Sequence, residues 1–342
     1  MKFRSWLTII TFILLAVVVL FGWQEIVKAW NLLDKVNLWI WLLLIPVQLV
    51  SYYAVGEIVF SYLRSKGDLD SISRWSMTRT ALELNFVNHV FPSGGAAGFS
   101  YLGWVLHRHG VSAGRATMAQ IIRFVLAFVS FVGLVLLSLI ALAFDHKVNG
   151  SIIAVSFLLV VMTVVGVGLV IFAISNHQRL VKFSTWLTRI VNKIVAKFRH
   201  KRKPILDEEI VEKFFTDLHQ DYIELMHDKR VLASPFLWAL FANICDVLLI
   251  LLSFVSLGFY INPAIIFIAF GISSIMSFFS VTPGGTGVYE AVMIAFLASA
   301  GVSADLAIAG TLLARTTLLV VTIVFGYIFY QLTINKYGKT SR

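Results

Sequence analysis

Between Ile265 and Gly301 the sequence writes an apolar run, breaks it at Thr282-Pro283-Gly284-Gly285-Thr286-Gly287, and resumes it from Val288. Proline withholds a backbone donor and clashes with the turn before it, while glycine tolerates angles that other residues cannot. In lipid every freed backbone group needs a partner, so such a break survives only where protein or a walled cavity supplies one. The break has a twin 191 residues upstream. Pro92, Gly94, Gly110, Val111, Ser112, Ala113 and Ala116 match Pro283, Gly285, Gly301, Val302, Ser303, Ala304 and Ala307 without a gap. Arg123 and Arg315 follow, one residue out of register. The match predicts an internal duplication, the plan on which many transporters are built.

The chain of 342 residues is 59% hydrophobic and 13% charged, with a mean hydropathy of +0.87. That balance predicts an all-α polytopic membrane protein. A formal charge of +10 would suggest nucleic acid in a soluble protein. Here the basic residues cluster between apolar runs, where they set topology and meet anionic lipid, so no nucleic-acid partner is expected. The lone Cys245 lies in an apolar run and offers no disulfide framework. Zinc spacings, phosphate-binding loops and serine-nucleophile elbows are absent from the sequence; no catalytic residue, cofactor or metal is expected.

Six full spans are predicted, at 5–23, 37–63, 116–144, 151–174, 233–258 and 304–334, with broken hairpins at 72–110 and 265–301. In the first hairpin the arm from Ala96 to Leu106 rises only about 16 Å, against roughly 30 Å of hydrocarbon. It reads as re-entrant, entering and leaving on the side of Arg74, Arg79, Arg108 and Arg115. The second hairpin has longer arms and fits either a re-entrant loop or two full spans. Bases at Lys2 and Arg4, at Arg64 and Lys66, and at Lys336, Lys339 and Arg342 place both termini in the cytoplasm of a cell-membrane protein. The halves 1–175 and 233–342 then enter from opposite faces, as an inverted-topology repeat.

Residues 176–232 form a polar insert between the halves. From Arg179 to Lys203 it holds nine Lys or Arg and no acid. Leu180, Phe183, Leu187, Ile190, Ile194 and Phe198 recur at helical spacing, with Lys182, Arg189, Lys193 and Lys197 between them. Either this basic helix lies on anionic lipid, or its charge only fixes topology. Residues 207–228 read as a solvated helix.

Two inverted hairpins would bring Pro92-Ser93-Gly94-Gly95 toward Pro283-Gly284-Gly285-Thr286-Gly287. The half-helix after each break points its N-terminus into the membrane and offers N–H donors to an anion such as phosphate. Otherwise the glycines serve close helix packing. Arg123 shares a stripe with Ala116, Gln120, Ala127 and Ser130, and Arg315 with Ala307, Thr311 and Thr322. Intramembrane arginines face polar interiors. These two either bind an anionic headgroup through their planar forks, or pair with Glu57 and Asp246 at nearly equivalent places in the halves. Glu290, just past the second break, closes a cap, coordinates a cation or repels a wrong headgroup. Glu83, Asn88 and His89 are polar enough to line the same cavity, with an interior hydrogen bond the simpler role for the histidine.

The run T-P-G-G-T-G-V-Y-E, the earlier F-P-S-G-G and the two G-V-S-A segments followed by an arginine resemble the lysylphosphatidylglycerol synthase transmembrane family. That family includes the flippase part of the multiple peptide resistance factor. The resemblance covers nearly the whole chain. It implies movement of an anionic or aminoacylated phospholipid, or a related lipid-linked headgroup, between leaflets. After the last span these 342 residues hold no soluble aminoacyltransferase domain, so lysyltransferase activity is not carried over. Two alternatives stand beside it. One is a membrane enzyme with Glu57, Glu83, Asp246 or Glu290 as acid or base, which no nucleophile–base pair supports. The other is an accessory protein that positions a lipid-synthesis enzyme through residues 179–203.

Overall fold

The computed structural model describes residues 27, 36–70, 72–91, 95–144, 150–198, 207–278, 280, 282 and 285–337, with backbone alone at 194–198, 278 and 335–337. Among these residues every regular element is a helix. The short α1 (Leu38–Leu42) leads into α2 (Leu44–Ser65), and α3 (Arg74–Val90) with α4 (Ala96–Arg108) forms the first hairpin. Two long helices follow, α5 (Ala113–Phe144) and α6 (Gly150–Ile174), then the insert helices α7 (His177–Phe198) and α8 (Glu208–His227). A 3₁₀ turn (Lys229–Leu232) opens α9 (Ala233–Ser256); α10 (Pro263–Phe278) and α11 (Val288–Ser299) form the second hairpin, and α12 (Ala304–Tyr337) closes the fold.

Among the described residues five stretches are long and apolar enough to cross a membrane: Leu38–Ser65, Ala113–Phe144, Gly150–Ile174, Lys229–Ser256 and Ala304–Ile334. The expected first span, 5–23, lies outside the described residues. Along α6, Ile153, Phe157, Leu158, Val161, Val164 and Leu169 stay exposed while Ser156, Leu159 and Thr163 turn inward. Such a continuous apolar exterior is stable in lipid and not in water. The protein is an all-α polytopic membrane protein.

Both hairpins are too short to cross by either arm. The arms of the first have 17 and 13 residues and those of the second 16 and 12. At 1.5 Å per residue the longest is about 26 Å, below the roughly 30 Å of hydrocarbon. Of the two geometries open to the second hairpin, these lengths favour the re-entrant one.

The matched G-V-S-A segments build the same turn twice. Gly110 and Gly301 take φ of +87° and +94°, a left-handed conformation that ends a helix and that glycine enters without strain. Val111 N–H then reaches back to Leu106 O (3.1 Å) and Val302 N–H to Leu297 O (3.0 Å). Ser112 O and Ser303 O each accept the first bond of the next helix, both at 2.9 Å. The sequence identity thus encodes one helix–turn–helix geometry.

Packing follows the same correspondence. α2 and α9, the first described spans of the two halves, lie against each other at the centre. The first arm of each hairpin packs on the span that follows the other hairpin, α3 on α12 and α10 on α5, while α4 leans on α5 and α11 on α12. Phe86 of α3 fills the space over Gly326, where an added Cβ would stand 2.4 Å from its Cβ. Phe131 of α5 does the same over Gly271, 2.4 Å from its ring.

The insert departs from the expected solvated helix. α8 docks on the start of α5, burying Leu218, Asp221 and Leu225, which recur at the three- and four-residue spacing of one helix face. At Gly114 the approach leaves only 2.8 Å between a hypothetical Cβ and Asp217 Cβ. Arg115 fastens it, with Nε 3.0 Å from Asp221, NH1 3.4 Å from Asp68 and NH2 3.5 Å from Glu224. Burial raises the Asp221 carboxyl above its ordinary range, and Arg115 opposes that rise. α7 in turn packs on α8, burying Leu180, Ser184 and Thr188, with Phe183 edge-on to Phe215. Lys182, Arg189 and Lys193 remain exposed beside Trp186; the side chain of Lys197 is outside the description.

Candidate functional site

A cavity of about 350 Å³ lies where both hairpins meet the central spans. α2 supplies Gln48, Ser51 and Tyr52, which share one face through spacings of three and four residues. α9 supplies Asp246 and α12 supplies Thr311 and Arg315. The first hairpin contributes Asn88, His89 and Gly95, and the second Ser277, Thr282 and Gly285. Residues of both hairpins and of three spans therefore wall one polar space inside an apolar protein. The volume is that of a small-molecule or headgroup site.

The second break is built around Glu290. Its carboxylate accepts the N–H of Gly287 at 2.6 Å and the Nε of Arg315 at 2.8 Å. Of the roles open to it, the structure shows the cap, which meets an orphan donor at the start of α11. Arg315 also lies over the Tyr289 ring, 4.8 Å from its centroid. Gly285 has φ +72°, and a Cβ there would stand 1.5 Å from Ser277 Oγ. Only glycine fits that corner. On the first hairpin His89 Nδ1 sits 2.8 Å from Asn85 O, and Asn88 rests in the space that Gly98 leaves open.

Neither expected arginine–carboxylate pairing forms. Glu57 is buried and pairs with Arg64, two turns along the same helix and away from the cavity. Asp246 accepts from Ser51 Oγ at 2.6 Å and has no basic partner among the described residues. Arg315 pairs with Glu290 because α11 and α12 are neighbours, whereas Glu57 and Asp246 sit on the central spans. Arg123 corrects a further expectation: it does not line the cavity that holds Arg315. It is 8% exposed on α5, over the Phe124 ring at 4.6 Å. Gln120, one turn earlier and fully buried, has neither amide atom hydrogen-bonded.

Glu83 also stands apart from the cavity. It is 1% exposed and gathers Arg79 Nε at 3.0 Å, Tyr101 OH at 2.7 Å and the Thr333 hydroxyl. One carboxylate thereby ties α3 to α4 and to α12. Pro92, Ser93, Gly94, Pro283 and Gly284 lie outside the described residues. Gly95, Thr286 and Gly287 flank the two breaks, and Gly95 and Gly287 begin α4 and α11 with φ of +87° and +89°. Among the described residues no three His, Cys, Asp or Glu gather as metal ligands.

The cavity wall carried residues that the sequence reading passed over, Gln48, Ser51 and Tyr52. Their signal was present as three polar side chains on one face of an apolar span. Tyr52 hydroxyl bonds Thr322, and Trp41 Nε1 donates to Thr317 Oγ1 at 2.9 Å, so the middle of α12 is fastened to the first described span. Chemically the site offers a fork-shaped cation, an unpaired carboxylate and several hydroxyls. It can bind a polar group and orient it; among the described residues it shows no activated nucleophile.

Comparison with known proteins agrees with this architecture. A UPF0104 membrane protein of Methanothermobacter thermautotrophicus is 21% identical over 258 residues, covering 71% of this chain and 75% of that protein. The family model described as the lysylphosphatidylglycerol synthase TM region matches residues 6–326. The chain belongs to the lysylphosphatidylglycerol synthase transmembrane family.

Proposed function

We propose that the protein is a lipid transporter of the flippase type, moving an anionic or aminoacylated phospholipid between leaflets of the cell membrane. The family concerns lysylphosphatidylglycerol-related lipid handling, and one observation carries the step to transport. Gly95 and Gly285, at the breaks of two hairpins, border the same cavity. In an inverted repeat that cavity lies near mid-depth, where alternate rocking of the halves exposes it to one leaflet and then the other. The repeated turn and the exchanged hairpin packing support such a repeat, with both termini, α7 and the ends of the first hairpin on the cytoplasmic side. Arg315 is the group that takes a headgroup phosphate, by leaving Glu290 when the lipid enters.

Purified protein in liposomes, with a headgroup-unmodified phosphatidylglycerol labelled on one acyl chain, tests this. Label in the inner leaflet should become accessible to an external quencher faster than in protein-free vesicles, with the lipid recovered unchanged. Chemically altered lipid would instead show an enzyme, and unchanged accessibility would remove lipid transport.

The topology has its own check. Single cysteines at positions 74 and 108, the outer ends of α3 and α4, should react with an impermeant thiol reagent from the cytoplasmic side only. Labelling from opposite sides would make the first hairpin two spans and end the inverted-repeat reading.

A further inference from the structure

We propose that Asp246 anchors a binding site for one sodium ion in the central cavity. Asp246 stands in the middle of α9 and faces the cavity. Its one hydrogen bond among the described residues comes from a neutral hydroxyl, Ser51 Oγ. Each neighbouring base is engaged elsewhere: Arg315 gives its Nε to Glu290, and His89 Nδ1 is held by Asn85 O. A carboxylate held in a low-dielectric interior needs a counter-charge.

Two further residues that line the cavity each bury a side-chain oxygen without a hydrogen-bond partner. Gln48 is 3% exposed and its Oε1 has no hydrogen-bond partner. Gln48 lies one turn from Ser51, on the same face of α2. Thr311 is 1% exposed and its Oγ1 is likewise unpartnered. One carboxylate and neutral oxygens are the ligand set of a hard cation. The charge decides its valence. A divalent ion would leave excess positive charge buried beside Asp246, and among the described residues no second carboxylate lines this cavity. A proton would neutralise Asp246 and leave Gln48 Oε1 and Thr311 Oγ1 unsatisfied. A monovalent metal ion carries the single charge that Asp246 lacks and takes neutral oxygens of the kind Gln48 and Thr311 offer.

The site rests on the chemistry of the cavity and not on lipid being the cargo, so its test is separate from the transport assay. Equilibrium binding of radioactive sodium to the purified chain in detergent should saturate near one ion per chain. Asp246→Asn should weaken it by roughly tenfold or more, the loss of one charge-assisted contact. Thr311→Val, which keeps the side-chain shape, should weaken it less. Melting curves in sodium chloride and in N-methylglucamine chloride at equal ionic strength give a second readout. The wild-type chain should melt higher in sodium and the Asp246→Asn chain equally in both. If Asp246→Asn does not fold, Thr311→Val carries the comparison. Absence of saturable sodium binding, binding unchanged in both variants, or stability that follows pH but not sodium would overturn the proposal.

Discussion

Replacing Arg315 by Gln is expected to destabilise the protein by about 3–5 kcal/mol, the cost of stranding one member of a buried ion pair. Glu290 is only 4% exposed and Arg315 14% exposed, with 2.8 Å between them. Without the guanidinium, the carboxylate keeps Gly287 N–H, a single donor against its full desolvation cost. The second replacement decides the meaning. Adding Glu290→Gln removes the stranded charge and should restore most of the melting temperature. Transport should stay slow in the double variant if Arg315 also takes the headgroup. A double variant that regains both stability and transport would make the pair structural. An Arg315→Gln chain that melts and transports normally would remove Arg315 from both roles.

Glu83→Leu is expected to cost a similar amount, roughly 3–5 kcal/mol, because one apolar side chain deprives three donors at once. Arg79, Tyr101 and Thr333 all converge on this carboxylate. Glu83→Gln preserves an acceptor but not the charge, and should lose only about 1.5–3 kcal/mol. Melting temperatures of both variants in detergent check the order. If Glu83→Leu melts with the parent chain, the carboxylate is not what fastens α3 to α12.

The spans, the hairpin breaks and the repeated turn were legible because each rests on local chemistry. Runs of apolar residues meet lipid, proline and glycine end helices, and Gly110 and Gly301 can take a left-handed turn whatever surrounds them. Ion pairing was legible only in part. Arg79 and Glu83 are four residues apart on a helix and Glu57 and Arg64 seven apart, spacings that place each pair on one face. Glu57 and Asp246, at nearly equivalent places in the sequence, are no equivalents in their partners: Glu57 takes Arg64 and Asp246 takes the Ser51 hydroxyl. Glu290 with Arg315, and Arg115 with Asp221 and Asp68, required knowing which helices are neighbours. The docking of α8 was hidden for a different reason. Its inner stripe of Leu218, Asp221 and Leu225 is short and contains a charge, so pattern alone could not separate it from a solvated face.

The exchange of hairpins between the halves has a consequence for how the chain is made. α3 finds its long partner in α12, and Glu83 reaches Thr333 across 250 residues of sequence. While the ribosome is still translating, the first hairpin therefore waits in the bilayer with an incomplete set of contacts around a buried acid. Gly326 and Phe86 cannot meet until α12 has been inserted. The first half is thus not a unit that matures early and receives the second as an addition. Its assembly is deferred to the last helix synthesised among those described, and until then Glu83 has only Arg79 and Tyr101, the partners within its own hairpin.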